Sequence, residues 1–381
     1  MTKCVKIVNI IRSLQIGGAE ILVKNIINSN NNEQFVHYIL YIDAGPLLYQ
    51  VNPEKRKQLI QCKYRNPILF IIFLRRILRN LNIDIIHTHQ PVDVLFAACA
   101  IIGLKIKIVR TYHGFSGLIS EGLLSCFKSK VLNFVINRVN CLNLYVSETI
   151  FCYFKSGNAV DKSDMNRVLY NGIDMKGVKR CKSTGVRQDL GILESGIILG
   201  MIGSFNEPAR DQFTVCLALK MLIKVTPDIH FLFIGRTSGK SHDPYEKCYN
   251  FCTDNDLLNN IHFLGERSDI SELLNNLDLY VHSSNYETFG LSLIEAMAYE
   301  LPCIASDIGI FREVSDNGIN IILFEKGNAK DLSEKILLEI QYLESNYTKQ
   351  RIWKAKAFVK ERFSIERHIS TLHTYYLECL K

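Results

Sequence analysis

Two carboxylates around a glycine turn carry the clearest chemistry in this sequence. Glu287 and Glu295 have seven residues between them, and Thr288-Phe289-Gly290-Leu291 opens that gap. From Leu291 onward the apolar residues Leu291, Ile294, Met297 and Ala298 fall at helical spacing. This predicts a helix with Glu295 about one turn inside it and Glu287 in the loop before it. A helix opening at glycine presents free backbone N–H groups and the positive end of its dipole, which suits a phosphate. An ionised carboxylate only accepts hydrogen bonds, so two of them beside such a helix start match the hydroxyls of a sugar and a ribose. The expected ligand is polyhydroxylated and phosphorylated.

The elements that must position these groups read as strands that end in loops. Val5–Ile11 predicts a buried strand, turning through Ser13–Gly18 into a helix. Its Gly17-Gly18 pair makes either a polar-ligand cradle or a plain turn of positive-φ glycines. The GxGxxG spacing is missing, which argues against a nicotinamide dehydrogenase. A strand over Lys107–Tyr112 delivers His113-Gly114 into a loop, and functional residues of open parallel sheets gather at such strand ends. His87 and His89 alternate at the end of another strand. With no third ligand in the sequence pattern they read as a polar cluster rather than a metal site.

Strand and helix patterns alternate on both sides of a polar, glycine-containing stretch, 175–196. The reading is two doubly wound α/β domains, 1–178 and 197–360, joined by that linker. A final amphipathic helix in 361–381 carries Ile365, Ile369, Leu372, Tyr376 and Leu380 on one side and is expected to pack back on the N-terminal domain. The chain of 381 residues, 48% hydrophobic and 22% charged, has room for both domains.

Charge is unevenly placed. Residues 1–180 hold 24 Lys and Arg against 11 Asp and Glu, while residues 181–381 hold 21 against 27. A basic front half calls for an acidic partner: anionic lipid, a diphosphate carrier or nucleic acid. Basic repeats, zinc spacing and interleaved RNA-binding aromatics are all missing, which puts nucleic acid last. Two helical segments concentrate the basic residues. In 67–81, seven consecutive apolar residues precede Arg75, Arg76 and Arg79; in 123–140, an amphipathic pattern carries Lys128, Lys130 and Arg138. The first either packs on the sheet with its basic end in water or lies at a membrane interface, and the second is a further site where a basic face could meet anionic lipid.

The 12 cysteines include no CxxC, and Cys248 and Cys252 lack a second pair or a histidine cluster. Reduced, mostly buried thiols in a cytosolic protein are expected. The five-residue, largely apolar stretch before Arg12, interrupted by Asn9, is too short for a signal-peptide core. No run approaches the ~20 apolar residues of a membrane span, so a soluble or peripheral protein is expected.

Six blocks occur in a telling order: Gly17-Gly18-Ala19-Glu20, Ile86-His87-Thr88-His89, His113-Gly114, Tyr170-Asn171-Gly172-Ile173-Asp174, Gly203-Ser204-Phe205 with Arg210-Asp211-Gln212, and Glu287–Glu295. Through them the chain resembles the family 4 glycosyltransferases of the GT-B fold over nearly its whole length. The resemblance implies two Rossmann-like domains facing a cleft. It also implies a retaining, metal-independent transfer from a nucleotide-diphosphate sugar, UDP- or GDP-linked, held mainly by the C-terminal domain. Carried over by position, Glu287 would hold hydroxyls of the donor sugar and Glu295 the ribose. The Phe289-Gly290-Leu291 backbone would meet sugar and phosphate. Gly17 and Gly18 would approach the diphosphate from the other domain, and His113 would contact the transferred sugar near the reacting carbon.

One departure from the family pattern matters. Where the family often has an Arg after the glycine of the first C-domain strand and a Lys six positions on, this chain has Ser204 and Arg210. Arg210 replaces Lys as a permanent cation with bidentate phosphate geometry, whereas Ser204 donates one neutral hydrogen bond. Leaving-group stabilisation is therefore expected to rest on Arg210 and the helix dipole. The implied acceptor is a glycan or a lipid-diphosphate-linked glycan, as in bacterial capsule or O-antigen assembly at the inner face of the cytoplasmic membrane. Two other readings stay open at this point: a sugar-nucleotide epimerase or hydrolase on the same architecture, and a non-catalytic sugar-nucleotide-binding partner.

Overall fold

The computed structural model describes residues 4–114, 142–156, 165–181, 185–206, 209–237 and 244–381. The basic segment 123–140 lies outside the described residues. The chain divides into two compact units, Met1–Asp174 with Phe363–Lys381, and Met175–Arg362.

The first unit is built on a parallel sheet of seven strands in the order β3-β2-β1-β4-β5-β6-β7. These are β1 (Val5–Ile10), β2 (Phe35–Tyr41), β3 (Leu59–Gln61), β4 (Ile85–Thr88), β5 (Lys107–Tyr112), β6 (Leu142–Tyr145) and β7 (Asn166–Val168). Parallel strands covered on both faces read as unbroken apolar runs, as Ile7 and Val8 in β1 and Ile85 and Ile86 in β4 do; all four are fully buried. Strand order reverses between β1 and β4, so the loops after these two strands flank the switch point where ligands bind in such sheets.

The C-terminal helix Ile365–Leu380 belongs to this unit and buries Ile365, Ile369, Leu372 and Tyr376 in one core with Val5, Ile7, Ile85 and Val109. The sequence pattern runs through 361–380 without a break, but the structure breaks it at Ser364, whose extended backbone separates this helix from Asn346–Phe363. The Tyr170–Asp174 block explains the break. Ile173 N–H donates to the Phe363 carbonyl and Ile365 N–H to the Ile173 carbonyl, each at 2.8 Å. A Cβ at Gly172 would sit 2.8 Å from Ile365 Cα, so only glycine lets the helix approach this closely.

The second unit holds a parallel sheet of six strands ordered β10-β9-β8-β11-β12-β13. They are β8 (Ile197–Ile202), β9 (Ile229–Ile234), β10 (Ile261–Gly265), β11 (Leu279–His282), β12 (Cys303–Ser306) and β13 (Ile322–Phe324). Its switch point lies between β8 and β11. Residues from 175 on, read from sequence as a linker, are packed into this unit: Arg180 donates to the Glu300 and Leu277 carbonyls, and Arg187 pairs with Asp278. Half-buried arginine contacts of this kind carry no periodic signature, so the sequence pattern misses them.

The helix Pro67–Asn80 is two-sided. Phe70, Leu74 and Leu78, spaced by four, are buried, while Ile68 and Ile72 are 68% and 59% exposed. Arg75 turns inward to the Ala100 and Ile102 carbonyls, each at 2.7 Å, and Arg76 and Arg79 stay exposed. Among the described residues no helix is long and apolar enough to cross a membrane.

Candidate active site

The glycine turn and the end of β8 meet at the switch point of the second unit. Gly290 takes a left-handed conformation (φ +79°) and caps the helix Leu291–Ala298; Leu293 and Ile294 N–H groups donate to its carbonyl. A Cβ there would lie 2.8 Å from Phe311 Cε1, so position 290 needs glycine for its backbone and for space. Gly290→Ala is expected to cost at least about 1–2 kcal/mol from the left-handed backbone alone, which lowers Tm by roughly 2–8 °C in a domain of this size. An unchanged thermal midpoint would contradict this. Phe289 is buried at 2% exposure, so its ring anchors the turn in the core of the unit. Leu291 opens the helix, and Glu295 stands half-buried about one turn further along.

Arg210 is pinned before it reaches the site. Asn285 N–H donates to the Ala209 carbonyl at 2.7 Å and Asp211 N–H to the Ser283 carbonyl at 3.1 Å, so the arginine backbone bridges to Ser284. Asp211 caps the next helix, Gln212–Leu222, by accepting from Thr214. The Arg210 stem crosses the end of β8, where a Cβ on Gly203 would come within 3.0 Å of Arg210 Nε. Its Nη1 donates to Glu287 Oε2, to Ser284 Oγ at 3.1 Å and to His282 Nε2 at 3.1 Å. Glu287 Oε1 accepts from Thr288 N–H at 2.8 Å, so both carboxylate oxygens are held. The Arg210 and Glu287 side chains are only 12% and 11% exposed, which makes the pair strongly coupled rather than a screened surface bridge. Ser204 follows Gly203 and is half-buried; its Oγ donates to the Arg236 carbonyl and accepts from Asn206 N–H.

His282 was not singled out from sequence. It closes β11, fully buried, two residues from Tyr280 and on the same strand face, an alternation that sequence reading could have used to find it. Burial first, and Arg210 second, hold its pKa well below the usual histidine range.

The remaining candidates belong to the first unit. His113 follows β5, and its Nε2 lies 2.9 Å from His89 Nδ1, just past β4. The His89 ring stacks on His87, whose Nδ1 and Nε2 are 2.7 Å from Tyr376 Oη and Thr111 Oγ1. Burial holds His113 down to about 4, and His87 and His89 well below their ordinary value. All three are therefore neutral near pH 7, and His113 offers a ligand a neutral polar group rather than a charge. Gly17 and Gly18 do not owe their place to positive φ. Gly17 is extended at φ −160°, and the one side chain a Cβ on it would meet is the movable Glu20 carboxylate, with Oε2 2.4 Å away.

The structure thus brings Arg210, Glu287 and Gly290 together beside Gly203-Ser204 in one unit, and places Gly17, Gly18 and His113 at strand ends of the other. Comparisons with known proteins fit this division. The profile described as Glycosyltransferase Family 4 matches residues 16–176, and that described as Glycosyl transferases group 1 matches residues 184–358. The chain is similar to the N-acetyl-alpha-D-glucosaminyl L-malate synthase of Bacillus anthracis, with 30% identity over 79% of this chain and 76% of that protein. It is also similar to the UDP-Gal:alpha-D-GlcNAc-diphosphoundecaprenol alpha-1,3-galactosyltransferase of Escherichia coli, with 25% identity over 73% of each. The crystal structure of a glycosyltransferase from Rickettsia africae superposes with a TM-score of 0.82 at 20% identity, over the full length of both chains. The chain belongs to glycosyltransferase family 4: it is a transferase with two Rossmann-like units of the GT-B type.

Proposed function

We propose that the chain moves a hexose, with retention of configuration, from a UDP-linked donor to a lipid-diphosphate-linked glycan during bacterial surface-polysaccharide assembly. The observation that carries this reading is the Arg210 guanidinium held against Glu287 at the Gly290-capped helix start. As the bond between the anomeric carbon and the diphosphate oxygen breaks, negative charge develops on the leaving group. Arg210 and the N–H groups at the helix start stabilise it, and no metal is required for that neutralisation. The acceptor oxygen bonds to the same face of the anomeric carbon, and its proton passes to a leaving-phosphate oxygen. Glu287 holds the sugar hydroxyls and Glu295 the ribose.

The choice of UDP and of a lipid-diphosphate acceptor is supported by the name of the Escherichia coli relative. The exposed Ile68 and Ile72 with Arg76 and Arg79 on the helix Pro67–Asn80 support contact with an anionic membrane on its cytoplasmic side. A small hydroxy-acid acceptor is the second reading, favoured by the name of the Bacillus anthracis relative.

The test is mass-spectrometric detection of product from a panel of UDP-hexoses with EDTA present. Polyprenyl-diphosphate sugar in anionic vesicles is one acceptor arm and L-malate the other. Product in the first arm, with salt-sensitive vesicle binding, is the expected result. Product only with malate would replace the acceptor assignment, and a strict metal requirement would reject Arg210 as the neutralising group.

A further inference from the structure

We propose that His282 is the positioning residue for Arg210, a neutral imidazole protonated on Nδ1 that keeps the guanidinium in place when Glu287 turns to the donor sugar. The proposal rests on the reading above that Arg210 and Glu287 serve the diphosphate and the sugar of one donor.

The proton positions follow from donor and acceptor inventory. An arginine only donates, so its contact at 3.1 Å makes His282 Nε2 the acceptor. The ring proton then sits on Nδ1, where Tyr280 Oη at 3.2 Å and Ser292 Oγ at 3.4 Å receive it. Both hydroxyls are tied to the end of β8: Ser292 Oγ donates to the Ile202 carbonyl at 3.2 Å, and Tyr280 Oη accepts from Ile202 N–H at 3.3 Å. One buried ring therefore registers three pieces of the site, namely the end of β8, the cation, and Ser292 in the first turn of the helix Leu291–Ala298.

The hydrogen count at Arg210 says why such a residue is needed. Nη1 carries two hydrogens and is surrounded by three acceptors: His282 Nε2, Ser284 Oγ and Glu287 Oε2. When Glu287 bonds a sugar hydroxyl, its hold on Nη1 is released. His282 and Ser284 then take one hydrogen each, and the guanidinium stays aimed. His282 is suited to this because it lies in β11, between β8 and β12, rather than in the loop that carries Glu287. Burial and the adjacent Arg210 both disfavour the imidazolium, so the accepting lone pair persists at neutral pH.

The experiment compares wild type, His282→Phe and His282→Gln by calorimetric titration with a panel of UDP-hexoses, whose sugar draws Glu287 away from Arg210, with the His282 tautomer read by long-range proton–nitrogen NMR. Glutamine can turn an amide oxygen toward Arg210, whereas phenylalanine cannot accept. Expected are about tenfold weaker UDP-hexose binding in the phenylalanine variant, the loss appropriate to one hydrogen bond to a charged group, and binding within about threefold of wild type in the glutamine variant. The wild-type signal that disappears in His282→Gln should show Nδ1 protonated. Wild-type UDP-hexose affinity in His282→Phe, or a proton on Nε2, overturns the positioning role while leaving the donor reading intact. Failure of wild type to bind any UDP-hexose overturns both. If His282→Phe does not fold, the tautomer and the glutamine variant still decide.

Discussion

Arg210→Met is expected to lower turnover by about two to three orders of magnitude, the effect seen when one preorganised donor is removed from a developing anion. Donor binding should suffer much less, because Arg210 acts most strongly on charge that appears as the diphosphate leaves. Glu295→Ala should show the reverse, a raised KM with kcat largely kept, since a ribose contact is the same in ground and transition states. Steady-state kinetics on a UDP-hexose separates the two. Equal losses of kcat and KM in both variants would reject this division of roles. The methionine variant also leaves Glu287 without its cation in a site that is about nine-tenths closed to solvent. Truncating one partner of a buried pair costs about 3–5 kcal/mol, so a lower Tm should accompany the kinetic loss. Arg210→Lys, which keeps the charge, should recover part of both.

Mild acid is expected to unfold the first unit. That unit carries six buried or mostly buried histidines: His37 is held down to about 3, His113, His368 and His373 to about 4, and His87 and His89 well below 6.5. Desolvation is the first cause in each case, and mutual repulsion adds to it in most. Because the folded pKa values lie below the unfolded value of 6.5, the unfolded chain binds more protons in that window. The stability is complete above pH 6.5 and falls as pH drops toward 4. One histidine displaced from 6.5 to about 4 accounts for about 3 kcal/mol on full crossing. A few such groups match a typical domain stability of roughly 5–15 kcal/mol. Hydrogen exchange, corrected for its intrinsic pH dependence, should show protection in β1, β4, β5 and the helix Ile365–Leu380 lost between pH 6 and 4.5. Retention of that protection at pH 4.5 would contradict the assignment of neutral buried histidines.

What the sequence alone revealed divides along a physical line. The second unit's glycine turn, its two glutamates and the helix behind them are local, so residue spacing in one segment was enough to read them. The parallel sheets were legible because strands buried on both faces are continuous apolar runs. Contacts between distant segments were not. His282 gains its place in the site from Arg210, 72 positions earlier in sequence. Gly172 admits the backbone of Ile365, nearly two hundred positions later, and no local pattern announces that contact. Gly17 was open between a ligand cradle and a positive-φ turn, and the geometry removes the second because the position is extended. The segment 175–196 lacks periodicity, which sequence reading took as a linker, although Arg180 and Arg187 bind it into the second unit.

The central claim is that the second unit cradles a nucleotide sugar around Glu287, Glu295, Arg210 and the Gly290-capped helix. Saturation-transfer difference NMR on the purified chain with a panel of UDP-hexoses tests this most directly, with Glu295→Ala measured alongside. The expected result is saturation of both ribose and sugar protons for at least one UDP-hexose in wild type, with the ribose signals selectively weakened in Glu295→Ala. No saturation for any nucleotide sugar, or ribose signals that survive Glu295→Ala unchanged, would contradict the assignment of this site.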